Sequence, residues 1–600
     1  KEQSLSKKMQ SYYTRILLFA FITKDTVISL ADIIAKGTTE DNARIIKNLG
    51  LNIDVLSLLN QQINKFVLSD LDYKIQNLNK LSNDDTLSPA EKASVAINKF
   101  GKLGDAIVVT PSNICDDMVS LIPDETYTAL SQTNGKVLDI AGTAGEYAVA
   151  LYKKMRALGI SEDVVKNSIY TIPKSSVCYE LTQKLYEMLE LNVANIAKEF
   201  VAADLLEVKK DKNVDYDKIK ALLTQNKPFD TIKLTDTLTE GENDMIKFEA
   251  VVGNPPYQSE AKNNSNTNGQ NPRTNIFQYF QILSEQIANK YSVLIFPGVR
   301  WIHQSGKGLK EFGKQLINSR NLKKVIFYPK SKDVFECTDI SDGISIVVMD
   351  KDKDSEEFKY EYITDRSKLS VIQTNPGDDL LLINPQDISI ANKIKQFVES
   401  NNLEYLHKSI LSRSLFGIES DFIEKNLATI RKYIEGESLG PNDIKVLTND
   451  KAGPAGRSGW FIINKNLITN NLGYINEWQV VVSSAHPGGQ EGRDNQMAII
   501  DNHSVFGRAR VALKSFKTAQ EAENFFKYAN CPIIKYAFLL SDESLSALAK
   551  FVPDILDYKN TSSLIDFSKT VNEINQQICD KCKLTPEEVA FIESMIKPME

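Results

Sequence analysis

A short apolar run, Phe248-Glu-Ala-Val-Val252-Gly253, ends abruptly in Asn254-Pro255-Pro256-Tyr257. Few tetrapeptides restrict a backbone so tightly. Two consecutive prolines fix φ and remove two N–H donors, and Pro255 drives Asn254 into an extended conformation. The pattern reads as a buried strand stopping in a stiff loop with free carbonyls, one held amide and one aromatic ring. Such a loop suits the gripping of a planar exocyclic amine. The Asn254 side-chain oxygen and the Pro255 carbonyl can each accept one amine hydrogen, while Tyr257 stacks on the ring that bears the amine. Drawing both hydrogens toward acceptors frees the nitrogen lone pair, which is stabilisation aimed at a transition state. The reading requires Tyr257 to border a cleft rather than lie among aliphatic neighbours.

The apolar pattern divides the chain. Residues 1–103 carry apolar positions at helical spacing, as in Ile45-Ile-Lys-Asn-Leu49, and Ser88-Pro89-Ala-Glu-Lys reads as a capped helix start. From 104 to 399 short apolar runs alternate with helical stretches. Strands are expected at Lys136–Asp139, Ser168–Ile172, Phe200–Ala203, Ala250–Val252, Ser292–Phe296, Lys324–Tyr328 and Ile344–Met349. That alternation predicts an α/β, doubly wound domain with a mostly parallel sheet, and ligands beyond the strands' carboxyl ends. Residues 400–560 turn β-rich and glycine-rich, and 561–600 read as helical.

Composition sets bounds. At 600 residues the chain needs several cores. Its net charge of −7 is not that of a general nucleic-acid binder, so any contact with DNA must use a local positive surface. Six cysteines in this length suit a reducing compartment. The run Ile16–Ile22 is far short of a membrane span and reads as a buried helix. Cys579-Asp-Lys-Cys582 supplies half the ligands of a zinc site, with no second pair at suitable spacing, so no metal is expected. No phosphate-binding Gly-x-x-x-x-Gly-Lys-Ser/Thr loop is present.

A second motif lies upstream. Lys136-Val-Leu-Asp-Ile-Ala-Gly-Thr-Ala-Gly-Glu-Tyr147 is a strand, a small-residue turn and a helix start. Small residues let a ligand approach backbone, and the helix N-terminus favours an anionic group. Before it stands Ile107-Val-Val-Thr110-Pro111.

These segments together resemble the amino-methyltransferases that use S-adenosyl-L-methionine. The closest resemblance is to the adenine-N6 DNA methyltransferases of bacterial restriction–modification systems, with motifs in the gamma order. The resemblance implies a Rossmann-like methyltransferase domain at 104–399, an N-terminal helical domain at 1–103 and a C-terminal α+β DNA target-recognition domain at 400–560. It implies catalysis by Asn254, Pro255, Pro256 and Tyr257. It implies cofactor binding by Thr110, Pro111, Asp139, Ala141, Gly142 and Gly145, with Asp204 accepting from the cofactor's adenine. An acid for the ribose hydroxyls should follow the second strand. If that strand is 175–179 the acid is Glu180; if it is Ser168–Ile172, Ser175 or Ser176 caps a helix and Glu180 lies inside it. The glycine loop departs from the family, with Thr143 where a glycine belongs and Gly142 one place early.

The resemblance also implies a double-stranded DNA partner, a flipped target base, stacking on Tyr257 and Phe335, and a bacterial cytoplasmic, nucleoid-associated location. Nuclease or motor modules would lie in a longer chain or a partner subunit. The loop Gln258–Arg273 is expected to order around DNA. Residues 441–520 hold nine Lys/Arg against six Asp/Glu. Lys451, Arg457, Arg493, Arg508 and Arg510 have the right chemistry for phosphates and base edges. Two other readings remain: a protein-glutamine or RNA methyltransferase, and a DNA-recognition module with little or no catalysis.

Overall fold

The computed structural model describes residues 2–100, 102–104, 107–206, 214–223, 227–236, 248–259, 274–336, 338–453, 455–489, 494–541 and 544–596. The chain divides into two compact units, one of residues 1–298 and 315–377, the other of 299–314 and 378–600.

The first unit begins with six helices: α1 (Glu2–Ile22), α2 (Leu30–Lys36), α3 (Glu40–Asn48), α4 (Ile53–Gln62), α5 (Lys65–Ser82) and α6 (Pro89–Lys99). The run Ile16–Ile22 is the buried end of α1. Ser88 and Glu91 form a capping box at the start of α6, satisfying two otherwise orphaned N–H groups. Among the described residues no helix is long and apolar enough to cross a membrane.

The rest of this unit is built on an eight-stranded sheet. Its strands are β1 (Lys136–Gly142), β2 (Ile169–Pro173), β3 (Phe248–Gly253), β4 (Ala288–Pro297), β5 (Leu322–Tyr328), β6 (Ile344–Asp350), β7 (Glu357–Ile363) and β8 (Lys368–Thr374). The spatial order is β8-β7-β5-β6-β4-β3-β1-β2. Strands β2, β1, β3 and β4 pair in parallel, and β6 and β8 run against their neighbours. β1 and β6 are buried along almost their whole length, as strands covered on both faces must be. Helices α7 (Ser112–Ser120), α8 (Glu146–Ala157) and α9 (Ser176–Met188) flank the β1–β2 end of the sheet. After β2 the chain crosses back over β1 to form β3. The strand order therefore reverses between β1 and β3, the position beyond whose carboxyl ends sheets of this kind bind ligands.

One expected strand is absent. Phe200–Ala203 leads instead into a short 3₁₀ turn at Ala202–Leu205, and Ile196 alone bridges to Thr171. Phe200 spends its apolar surface against the Phe229 ring, 6.4 Å between centroids, rather than on a sheet face.

The second unit contains a four-stranded sheet with β9 (Asp443–Asn449), β10 (Ser458–Asn464) and β13 (Ser504–Phe506), and a three-stranded sheet of β11 (Trp478–Ser483), β12 (Ala498–Ile500) and β14 (Arg510–Phe516). Helices at Ala519–Ala529, Pro532–Leu539, Val571–Lys581 and Pro586–Met595 complete it. Phe516, Phe525 and Tyr528 pack around the buried Tyr558 ring, with centroids 5.0–5.7 Å away.

Candidate active site

β1 and β3 pair in parallel with Asp139 opposite Val252, so both motif-bearing ends emerge side by side. Gly253 adopts φ 156°, and a Cβ there would meet Ile140 Cγ2 at 3.2 Å and Asp139 Oδ1 at 3.3 Å. Its missing side chain is what lets the end of β3 lie against that of β1. Asn254 follows directly and is 4% exposed. Its Nδ2 donates to Thr110 Oγ1 at 3.1 Å. Its Oδ1 is buried and has no hydrogen-bond partner among the described residues. An unmet buried acceptor is costly, and such atoms mark places where a ligand completes the bonding. Pro255 is buried, while Pro256 and the Tyr257 ring are half-buried. Tyr257 leans on the main apolar cluster and its hydroxyl has no described partner. Burial pushes that phenol's pKa above its ordinary value.

The turn after β1 carries the second half. Gly145, at φ 76°, starts α8. Asp139 is fully buried. Its Oδ1 accepts from the Ala141 N–H at 3.2 Å, and its Oδ2 has no described partner. Burial first, and then the charge of Glu146, push this carboxyl well above the usual carboxylate range. Thr143 Oγ1 is likewise buried and unpartnered. Asp139, Thr143, Asn254 and Tyr257 thus bring four orphaned polar atoms to the β1 and β3 ends.

Three neighbours went unread in the sequence. Glu146, 1% exposed, accepts from the Ala144 N–H at 2.6 Å and the Thr110 N–H at 3.4 Å. Its signal was an acid in the first helical turn, where the dipole favours it. Tyr147 is buried, its hydroxyl 3.5 Å from Thr110 Oγ1 and 3.3 Å from Met118 Sδ. Lys174 follows β2, and its N–H donates to the Gly142 carbonyl at 2.9 Å. Burial lowers its ammonium pKa, against the opposing pull of Glu146, Cys178 and Asp139.

The remaining positions divide. Thr110 is fully buried beside Asn254, and Pro111 precedes α7 at its N-cap. Ala141 and Gly142 end β1. Strand β2 is Ile169–Pro173 and Ser175 caps α9, so Glu180 lies inside that helix. Its Oε1 accepts from Arg44 and Asn48 of α3. Asp204 stands exposed on the 3₁₀ turn, where its Oδ2 caps the Val201 N–H at 2.9 Å. Phe335 is 3% exposed within the main apolar cluster.

In the second unit Lys451 and Arg457 are exposed around a glycine turn. Arg508 is exposed and pairs with Glu419 at 2.6 Å. Arg510 is 8% exposed and donates to the Gln496 carbonyl at 3.0 Å. Arg493 and the segment 260–273 lie outside the described residues.

The first unit is an α/β structure with a large, parallel-rich sheet, and the buried polar side chains of Thr110, Asp139, Thr143 and Asn254 gather near its strand-order reversal. Residues 167–335 match the family model described as Eco57I restriction-modification methylase. An adenine-specific methylase of Mycoplasma pneumoniae, itself uncharacterized, is 29% identical over 100 residues, which are 17% of this chain and 23% of that protein. The chain thus spans under a quarter of the length of this curated relative. Among solved structures it is similar to a DrdV–DNA complex (11% identity, TM-score 0.44, 90% of this chain and 65% of that one). It is also similar to the type IIL restriction-modification enzyme MmeI in complex with DNA (10% identity, TM-score 0.42, 90% and 78%). The resemblance to the adenine methyltransferases of restriction–modification systems is borne out by the family and relative matches.

Proposed function

We propose that this chain transfers a methyl group from S-adenosyl-L-methionine to adenine N6 in double-stranded DNA, as the modification activity of a restriction–modification or phage-defence system. The observation that carries the reading is Asn254 Oδ1, a buried acceptor without a partner, held one residue beyond the glycine that abuts Asp139. The residues at the β1 and β3 ends suit the cofactor's methionyl end. Asp139 Oδ2 and Thr143 Oγ1 are unsatisfied polar atoms, and a buried carboxylate suits a ligand bearing an ammonium and a sulfonium. Asp139, Ala141, Gly142, Gly145, Thr110 and Pro111 would hold that end, with Asp204 at the nucleoside end. Bound there, the cofactor supplies an electrophilic methyl carbon.

The protein's own residues do the rest. Asn254 Oδ1 and the Pro255 carbonyl accept the two amine hydrogens and steer the lone pair out of conjugation. Both acceptors sit on a loop that prolines have stiffened, so little reorganisation accompanies the reaction. Tyr257 stacks on the purine. Adenine in a duplex hides its amine, so the base must be flipped out, and stacking with amine hydrogen bonds offsets a cost of a few kcal/mol. Lys451, Arg457 and Arg508 hold DNA phosphates through residues 400–560, which serve as the target-recognition domain. The protein works at the nucleoid of a bacterial cytoplasm, with nuclease or motor modules in a longer chain or a partner.

Incubation with methyl-labelled cofactor and varied duplexes tests this. Label is expected on adenine N6. Bound cofactor with no label on any duplex refutes it. A second reading, a recognition module with weak catalysis, draws support from Glu146, which already occupies the Ala144 and Thr110 N–H groups at the loop. Calorimetry with S-adenosylhomocysteine separates the two.

A further inference from the structure

We propose that Thr110 is the positioning residue that decides which end of the Asn254 amide faces the reacting amine; this rests on the methyltransferase reading above. An amide side chain has nearly the same shape in two orientations, related by a half-turn about its last torsion. They are opposite in polarity. With oxygen outward Asn254 accepts amine hydrogens. With nitrogen outward it opposes donor to donor and repels them. Nothing in the shape of the loop selects between these states, so a specific hydrogen bond must.

The structure supplies that bond. The Thr110 hydroxyl accepts from Asn254 Nδ2 at 3.1 Å, in a place where neither residue meets solvent. With its nitrogen tied there, Asn254 Oδ1 points away from Thr110 and is left without a described partner. Thr110 is itself held. Its N–H donates to Glu146 at 3.4 Å, and its hydroxyl lies 3.5 Å from the Tyr147 hydroxyl. Glu146 and Tyr147 are the first two residues of α8, the helix that opens the cofactor loop. Pro111 fixes the chain on the other side, at the start of α7. The amine-accepting amide is thus oriented from the cofactor loop, through one hydroxyl. A hydroxyl can donate as well as accept, so the orientation holds as long as Thr110 Oγ1 serves as the acceptor, the role it has here toward both Asn254 Nδ2 and the Tyr147 hydroxyl, and burial makes these bonds weigh more than they would in water.

Thr110→Val keeps the shape and deletes the hydroxyl; Thr110→Ser keeps the hydroxyl. In the full chain, with tritiated S-adenosylmethionine and an adenine duplex, Thr110→Val should lower kcat roughly 100-fold while leaving KM for DNA unchanged. Its affinity for S-adenosylhomocysteine should fall by far less than kcat, since Thr110 is one of several residues at the cofactor's methionyl end, and Thr110→Ser should return kcat to near the wild-type value. Wild-type turnover by Thr110→Val overturns the proposal. So does a loss of cofactor affinity matching the loss of turnover, or a serine variant no better than valine. A second measurement needs no activity: Thr110→Val, Asn254→Ala and the double variant are compared by urea midpoint. Non-additive shifts support the bond, and additive shifts overturn it. Should the wild type methylate no duplex at all, the methyltransferase reading fails by itself, and the midpoints still judge the Thr110–Asn254 bond.

Discussion

The carboxylate of Glu180, buried within α9, is held by the guanidinium of Arg44 from α3, with Asn48 on the same oxygen. The pair fastens the N-terminal helices to the methyltransferase-like core. Glu180 is 1% exposed and Arg44 38%, so the acid is the member that cannot be left alone. Arg44→Ala should destabilise the protein by about 2–3 kcal/mol, short of the worst case for a broken buried pair because Asn48 remains and Arg44 is partly solvated. Glu180→Gln, which removes the charge and keeps the shape, should cost less. Urea unfolding checks both, and an Arg44→Ala variant as stable as wild type refutes the role given to the pair.

Asp139 makes the opposite trade. Its folded-state pKa lies well above the ordinary 3.8, chiefly from burial. A group raised in this way contributes stability that is fully present below the unfolded pKa and lost as pH rises through the folded one. At pH 7 the buried carboxyl therefore weakens the fold. Asp139→Asn should be more stable than wild type at pH 7, with the gain vanishing below the usual carboxylate range. The same variant should lose affinity for S-adenosylmethionine. Stability against pH, beside calorimetry, checks the two halves. A variant less stable at pH 7 would show that Asp139 is not the strained group described.

These residues also show where the sequence could be read and where it could not. Strands β1, β3, β4 and β6 were legible because strands buried on both faces are runs of apolar residues, and prolines mark where β3 stops. Asn254 was placed by local pattern because it directly follows a strand, whereas Asp139, expected at a strand end, lies in the middle of β1, which runs on to Gly142. Phe200–Ala203 has the same local look as a strand, yet its aromatic ring is used by Phe229, 29 positions away. Arg44 lies 136 positions from Glu180, and no periodicity reports a partner at that range. Arg510 resembles any loop cation in sequence; only the pairing of β14 with β11 reveals that it is buried.

Asn254→Ala separates catalysis from folding. Among the described residues the side chain makes one hydrogen bond, to Thr110, and its buried Oδ1 has no partner. Removing both leaves stability within about 1 kcal/mol, since one term offsets the other. Turnover should fall by at least about 100-fold, as for loss of one donor or acceptor in a preorganised site. Circular dichroism and urea unfolding follow the fold; labelled-cofactor assays follow the chemistry. Parallel losses in both would show that the loop is structural.

Lys451 and Arg510 should part company in the second unit. Lys451 is exposed on a glycine turn, while Arg510 is buried on the Gln496 carbonyl, its charge disfavoured there by burial. A lysine that neutralises a phosphate releases a counterion, so Lys451→Ala should reduce the slope of log K against log salt by about 1 without moving the urea midpoint. Arg510→Ala should leave the slope unchanged and lower stability by about 1–3 kcal/mol, because a packed side chain and its hydrogen bond go together. Titration of one duplex at several salt concentrations, with each variant's unfolding curve, gives both readings. If Arg510→Ala changed the salt slope and spared the midpoint, the buried arginine would have to reach DNA after all.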